Sequence, residues 1–134
     1  MLLNKKVFDA IIAHARQGLP HEVCGYLAGR EEELTKHYEL TNLDKAADHF
    51  TMSPKEQFAV IKETRRQGMA IKAVYHSHPD TPARPSDEDI KLAYDPDISY
   101  VIISLAAPEV EVKSFRIQRG EVTSEEITIV VSAP

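Results

Sequence analysis

The sequence of 134 residues contains one cysteine, no tryptophan and only five glycines. A single cysteine excludes an internal disulfide and any zinc or redox site built on a Cys-x-x-Cys pair, and it fits a reducing compartment. Any metal site must therefore use histidine and carboxylate ligands. No run of about 18 apolar residues is present, so no segment is predicted to span a membrane. Lysines and an aspartate interrupt the apolar start of the chain, so we predict no signal peptide and a cytoplasmic protein.

Positive charge is also scarce. The chain has 16 Lys and Arg residues against 21 Asp and Glu residues, for a net charge of −5. Nucleic-acid binding needs clustered basic residues to neutralise phosphates, so we do not expect a nucleic-acid partner. The length suits one domain with a sizeable core, and we expect residues 1–134 to form it.

Periodicity and capping signals predict the secondary structure. Apolar residues at helical spacing predict a helix over 4–17. A second helix over 53–68 should begin with Ser53 as N-cap, Pro54 at the first helical position and Glu56 completing a capping box. A third, short helix should begin after Ser86. Strands are predicted at 23–29, 34–40, 70–78, 98–105, 109–118 and 122–131, with 49–52 as a candidate short strand. This mixture favours an α+β fold, a mixed central sheet flanked by helices.

Residues 75–90 carry the chemistry. The two-residue period of a strand places His76 and His78 on one face. Asp89 lies in the first turn of the predicted short helix, where a carboxylate is favoured, and can face the histidines. Two imidazoles and one carboxylate suit Zn²⁺ and leave a fourth tetrahedral position open, as in catalytic sites. Two plainer interpretations remain: Ser-x-x-Asp is also an ordinary helix cap, and His-x-His can be structural.

Glu22, just before the first apolar strand, is the candidate general base, although this segment taken alone favours a solvated turn residue. Two other zinc-enzyme patterns fail. The segment "HEVCG" has Gly25 where the helical zincin motif needs its second histidine, and it lies on a predicted strand. The zinc deaminase pattern needs paired cysteines.

A glutamate in "PHEVCGYLAG" followed by "HSHPDTPARPSDED" resembles the JAMM metalloprotease family, also called MPN+ or Mov34. The family pattern is Glu, then His-x-His-Pro, six residues and Ser-x-x-Asp, and this chain has Glu22, His76, His78, Pro79, Ser86 and Asp89 at those positions. The resemblance extends over essentially the whole chain and implies the JAMM/MPN fold, which is similar to the cytidine deaminase architecture. It points to the small stand-alone prokaryotic type.

The resemblance also implies roles for these residues. His76, His78 and Asp89 would bind one catalytic zinc ion, with water as the fourth ligand. Glu22 would act as general base and then as general acid, and Ser86 would donate a hydrogen bond to the oxyanion. Cys24, two positions after Glu22, could approach the metal, although a small buried thiol is the simpler interpretation.

Members of this family hydrolyse peptide or isopeptide bonds after the C-terminal Gly-Gly of ubiquitin or ubiquitin-like proteins. The small bacterial members act on sulfur carriers of the ubiquitin-like fold. The leading expectation is therefore a zinc-dependent metalloprotease that hydrolyses the bond after the Gly-Gly tail of such a carrier. One alternative is a JAMM peptidase acting on another peptide. Another is a metal-free interaction scaffold, which the complete motif disfavours. The sequence sets no oligomeric state.

Overall fold

The computed structural model describes residues 1–131, so the last three residues of the predicted domain lie outside the described part. The described residues form nine strands and three helices. In chain order these are β1 Leu2–Asn4, α1 Lys5–Gln17, β2 Cys24–Gly29, β3 Glu33–Leu34, β4 Lys36–Leu40, α2 Pro54–Arg66, β5 Ala70–His78, α3 Asp87–Lys91, β6 Ser99–Ser104, β7 Glu111–Gln118, β8 Glu121–Glu125 and β9 Thr128–Val130.

Six strands form the main sheet, in the order β4-β2-β5-β6-β7-β8. The central β5–β6 pair is parallel, whereas the other neighbours are antiparallel. The predicted α+β fold with a mixed sheet is thus confirmed. The prediction of one strand over 34–40 is wrong, because this segment divides into β4, which pairs with β2, and β3, which lies outside the main sheet. No described helix is both long enough and apolar enough to cross a membrane.

Helix α1 covers one face of this sheet. Its N-cap Asn4 accepts a hydrogen bond from the Lys6 amide, and its buried stripe joins a core that includes Leu27, Tyr75 and Val101. Tyr75 is fully buried, and its hydroxyl lies 2.8 Å from Nδ1 of His14. The opposite face of the sheet carries a smaller apolar cluster around Ile102, which Ile90 of α3 joins. The sheet is therefore covered on both faces near the end of β5.

Gly25 makes room for the Tyr75 ring. A Cβ atom at this position would lie 2.5 Å from Cε1 of Tyr75 and would also meet the Tyr38 carbonyl oxygen. Real Cβ atoms do not approach other atoms so closely. Because Gly25 has no side chain, the large Tyr75 ring can pack beside β2, one residue before His76 on β5.

A second, three-stranded parallel sheet, β3-β1-β9, was not predicted. The prediction of one strand over 122–131 is wrong, because this segment divides into β8 on the main sheet and β9 on the small one. The Met1 ammonium donates to the Glu126 carbonyl at 2.9 Å, and the Thr128 amide donates to the Met1 carbonyl at 2.8 Å. The break is thus set by pairing with the N-terminus, which is distant in sequence.

Two smaller predictions are also wrong. The candidate strand at 49–52 is only a single bridge between Asn42 and Met52. The predicted capping box of α2 is half present. Ser53 Oγ accepts from the Glu56 amide at 3.4 Å, but the Glu56 carboxylate accepts from the amide and hydroxyl of Thr41, at 2.8 Å each. The carboxylate therefore ties α2 to the end of β4.

Candidate metal centre and catalytic site

The carboxyl end of β5 carries His76 and His78 in the middle of the sheet, between β2 and β6. Ser77 points to the other face, where its Oγ accepts from the Val23 amide at 2.8 Å. Both histidines are 4% exposed. The alternation of the strand thus places both imidazoles on one face, as predicted, and the neighbouring strands fix their backbone.

Helix α3 brings Asp89 to these histidines. Ser86 Oγ accepts from the Asp89 amide, and Asp89 Oδ2 accepts from the Ser86 amide, both at 3.0 Å. The same Oδ2 atom lies 3.2 Å from Nε2 of His76 and 3.0 Å from Nε2 of His78. Ser-x-x-Asp is therefore a helix cap as well as part of the cluster, because capping aims the carboxylate at the imidazoles.

The protonation of His78 follows from its second contact. Its Nδ1 lies 2.9 Å from the Pro82 carbonyl oxygen, which can only accept, so Nδ1 carries the hydrogen. In the neutral ring Nε2 then presents a lone pair. That lone pair faces Asp89 Oδ2 and also His76 Nε2, which is 3.0 Å away. Buried lone pairs that converge in this way require a proton or a cation between them.

The spacing of the three donor atoms suits a zinc ion. The three separations are 3.0, 3.0 and 3.2 Å. In a tetrahedral zinc site with bonds of about 2.0–2.1 Å, neighbouring ligand atoms lie about 3.3 Å apart. Among residues 1–131, His76, His78 and Asp89 are the group with potential ligand atoms all within 4.8 Å of one another. The donor set and its geometry therefore fit zinc.

The electrostatics of this cluster favour a cation. Burial alone would raise the pKa of Asp89, but the hydrogen bonds with His76 and His78 outweigh it and hold that pKa well below its usual range. Burial lowers the pKa of His78, but hydrogen bonds to Asp89 and to the Pro82 carbonyl outweigh it, so the net shift is upward. Asp89 is thus ionised, and its negative charge attracts a positive one.

Glu22 lies beside this cluster and is not a solvated turn residue. The antiparallel pairing of Cys24 with His76 continues through hydrogen bonds between Val23 and Ser77, and this register places Glu22 opposite His78. Glu22 is 4% exposed, and its Oε1 has no hydrogen-bond partner among the described residues. Burial raises its pKa to about 8, although the nearby His78 lowers it. A buried carboxyl that titrates near neutrality suits proton transfer.

A loop that the sequence did not single out anchors Glu22. The Glu22 amide donates to the Ala46 carbonyl at 2.7 Å, and its carbonyl accepts from Asn42 Nδ2 at 3.0 Å. In the same loop, the Phe50 ring lies against His76, with centroids 4.9 Å apart and planes 33° apart. Asn42 lies in "TNLD", which resembles any polar turn, so no signal in the sequence marks it.

Two other predicted residues are placed as follows. Ser86 is exposed, and because its Oγ accepts from the Asp89 amide, its hydroxyl hydrogen remains free to donate elsewhere. Cys24 is fully buried, its Sγ lies 3.7 Å from the Leu40 carbonyl oxygen, and burial raises its pKa to about 12. Cys24 is therefore a protonated thiol, as the simpler interpretation held.

A cavity of about 440 Å³ opens beside the cluster. His76 and Asp89 form part of its wall, and most of the remaining surface is apolar, including Val74, Ile102 and Ile117. Its size is in the range of ligand-binding pockets. The candidate metal centre is thus reached from a cleft that offers apolar contacts to a bound chain.

The family model for prokaryotic homologues of the JAB domain matches residues 4–118. The chain belongs to this family. It is 35% identical over 133 residues to the CysO-cysteine peptidase of Mycobacterium tuberculosis, covering 97% of this chain and 91% of the relative. It is also 32% identical over 105 residues to a desampylase of Haloferax volcanii, covering 72% and 74% of the two chains. These relatives support a hydrolase.

Solved structures agree with this family assignment. A protein of Desulfitobacterium hafniense with a known solution structure is 45% identical, with a TM-score of 0.90 and coverage of 98% and 94% of the two chains. A JAB1/MPN domain protein from Archaeoglobus fulgidus is 22% identical, with a TM-score of 0.68 and coverage of 97% and 99%. The JAB/MPN fold expected from the motif is thereby confirmed.

Proposed function

We propose that residues 1–134 form one JAMM domain that acts as a zinc-dependent metallopeptidase. The proposed reaction is hydrolysis of the peptide bond after the C-terminal Gly-Gly of a ubiquitin-like sulfur carrier. The observation that carries the proposal is the buried cluster of His76, His78 and Asp89. Glu22 is buried opposite it, and its Oε1 has no hydrogen-bond partner within residues 1–131. The names of the mycobacterial and haloarchaeal relatives support the substrate class.

His76, His78 and Asp89 would hold the zinc ion. When bound, zinc supplies Lewis acidity, which lowers the pKa of water and stabilises developing negative charge. The chain prepares these ligands through two contacts. The Pro82 carbonyl keeps the hydrogen of His78 on Nδ1, and the Ser86 amide orients the Asp89 carboxylate.

Glu22 would take a proton from the attacking water and pass it to the leaving amine. Its burial supports this role. Burial raises its pKa to about 8 in the metal-free protein, and a bound cation would lower that pKa toward neutrality, where the carboxyl can both accept and release a proton. Ser86 would donate its free hydroxyl hydrogen to the oxygen of the tetrahedral intermediate. Such a donor contributes typically about 100- to 1,000-fold in rate.

An extended carrier tail suits the cleft. A Gly-Gly terminus has no side chains beyond Cα, so its backbone can approach a buried cluster closely. Residues before the glycines could use the apolar walls of the 440 Å³ cavity. The folded body of the carrier would remain outside, where it adds specificity.

The test is cleavage of a ubiquitin-like carrier extended by one or more residues beyond Gly-Gly. We expect the zinc-loaded protein to release the extension, with loss of activity after chelation and after Glu22→Gln. Glu109→Gln, an exposed glutamate in a loop, is the matched control and should retain full activity. Cleavage that survives both chelation and Glu22→Gln would refute the mechanism. If the protein hydrolyses other peptides but no carrier, the proposed substrate class is wrong and the proposed zinc-dependent mechanism stands.

A further inference from the structure

The side chain of Asn42 connects four separate points of the chain. Its Nδ2 donates to the carbonyls of Glu22 and His49, at 3.0 and 3.1 Å. Its Oδ1 accepts from the amides of Asp44 and Thr51, at 3.0 and 3.2 Å. An asparagine amide offers two donors and two acceptor positions, so every one of them is used.

The loop that Asn42 closes, residues 42–51, touches the candidate site at two places. Its Ala46 carbonyl accepts a hydrogen bond from the Glu22 amide, and its Phe50 ring packs against His76. Together with Asn42, the loop therefore binds both backbone polar groups of Glu22. The far end of the loop is held by the bond from Asn42 to the His49 carbonyl.

No hydrogen bond from the described residues holds Oε1 of Glu22. The position of this carboxylate consequently depends on where its backbone is fixed. Its amide is bound by a backbone carbonyl, which no substitution removes, whereas its carbonyl is bound by the Asn42 side chain. Asn42 is thus a side chain through which the position of Glu22 can be altered without changing Glu22.

We propose that Asn42 is a positioning residue, whose amide fixes the Glu22 carboxylate relative to His76, His78 and Asp89. The inference rests on the proposed function, and it assigns Asn42 no contact with substrate or metal. A displacement of about 1 Å in a catalytic group can cost about 100-fold in rate. Loss of the bond from Asn42 to Glu22 should therefore lower kcat.

Asn42→Asp is the sharpest test, because aspartate has nearly the same shape but no donors. It keeps the acceptor for the Asp44 and Thr51 amides and loses the bonds to Glu22 and His49. The matched control is Ala47→Asp, which adds the same negative charge at an exposed position of the same loop and removes none of the four bonds of Asn42. Should Asn42→Asp fail to fold, Asn42→Ala replaces it, since this half-buried position admits water.

We expect Asn42→Asp to lower kcat by about 10- to 100-fold, with KM and zinc affinity within about twofold of the wild type. Zinc affinity should be spared because the three ligands lie on β5 and α3. Ala47→Asp should behave like the wild type. An unchanged kcat in folded Asn42→Asp would overturn the inference, and so would a loss of zinc affinity as large as the loss of kcat.

A second measurement needs neither substrate nor metal. In the metal-free protein at pH 8, the melting temperatures of the wild type, Glu22→Gln, Asn42→Asp and the double variant form a double-mutant cycle. If Asn42 holds Glu22 in its buried position, the gain in Tm from Glu22→Gln should fall by at least half in the Asn42→Asp background. Additive effects would overturn the inference. A wild type that cleaves no carrier would refute the proposed function, and this cycle would still decide the role of Asn42.

Discussion

Glu22→Gln should stabilise the metal-free protein, and the gain should grow with pH. Glu22 is 4% exposed, and burial raises its pKa from 4.5 to about 8. The folded state therefore binds the Glu22 proton more tightly than the unfolded state does. Stability that depends on this proton is present at low pH and is lost as the pH rises from about 4.5 through 8. Glutamine has no such proton and should show no such loss.

The size of the effect follows from the two pKa values. Each pKa unit corresponds to about 1.4 kcal/mol, so between pH 5.5 and pH 8 the Glu22 proton accounts for at most about 3 kcal/mol of stability. For a chain of 134 residues this corresponds to roughly 10 °C in Tm. The upward pKa shift of His78 also removes stability as the pH rises. The difference in unfolding free energy between wild type and Glu22→Gln therefore reports the titration of Glu22, including the effect of the Glu22 charge on the pKa of His78.

The assay is thermal unfolding in a chelator, followed by circular dichroism at pH 5.5, 7 and 8. Wild type, Glu22→Gln and the exposed control Glu109→Gln are compared. Wild type and control should lose stability together, and Glu22→Gln should lose about 3 kcal/mol less. Saturating zinc should narrow the gap, because a nearby cation favours the ionised carboxylate. Parallel pH profiles for wild type and Glu22→Gln would show that burial does not raise the pKa of the Glu22 carboxyl.

Three further predictions concern other parts of the site and its support. His78→Ala should abolish both stoichiometric zinc binding, measured by titration calorimetry, and the rise in Tm that zinc confers. The control His37→Ala, outside the cluster, should retain both. Zinc binding retained in His78→Ala would exclude His78 as a ligand. Ser86→Ala should cost about 1 kcal/mol of unfolding free energy through the lost cap, and about 100- to 1,000-fold in kcat; a loss of stability with full activity would leave Ser86 only the capping role. Gly25→Ala should destabilise the protein by about 3 kcal/mol or more in urea unfolding, because its Cβ would meet both the Tyr38 carbonyl oxygen and the Tyr75 ring. A neutral result would mean that the β4 backbone and the ring both shift without cost.

Much of the candidate metal centre could be predicted because its geometry is local. The alternation of β5 puts His76 and His78 on one face, and the Ser86 cap orients Asp89 in the first turn of α3. Both are consequences of backbone periodicity and hydrogen bonding within a few residues. The helix and strand ends nearest the site were correct for the same reason, since β5 spans Ala70–His78 as its pattern predicts.

Other features depend on pairing between segments far apart in the chain. The division between β8 and β9 exists because Met1 bonds to the backbone at Glu126 and Thr128, and nothing in the alternating pattern of 122–131 marks it. Likewise, the Glu56 carboxylate contacts Thr41 in place of its own helix cap. Competing hydrogen-bond partners from distant segments cannot be identified from local patterns.

The sequence by itself determined which atoms are available for chemistry: with one cysteine, the ligands had to be histidine and carboxylate, and the spacing of His76, His78 and Asp89 supplies them. Only the tertiary structure decided the state of Glu22. The same glutamate would be an ordinary solvated residue if the register with β5 and the loop closed by Asn42 did not bury it. Burial and electrostatic environment are properties of packing, and they convert a carboxylate of unremarkable pKa into one that titrates near neutral pH.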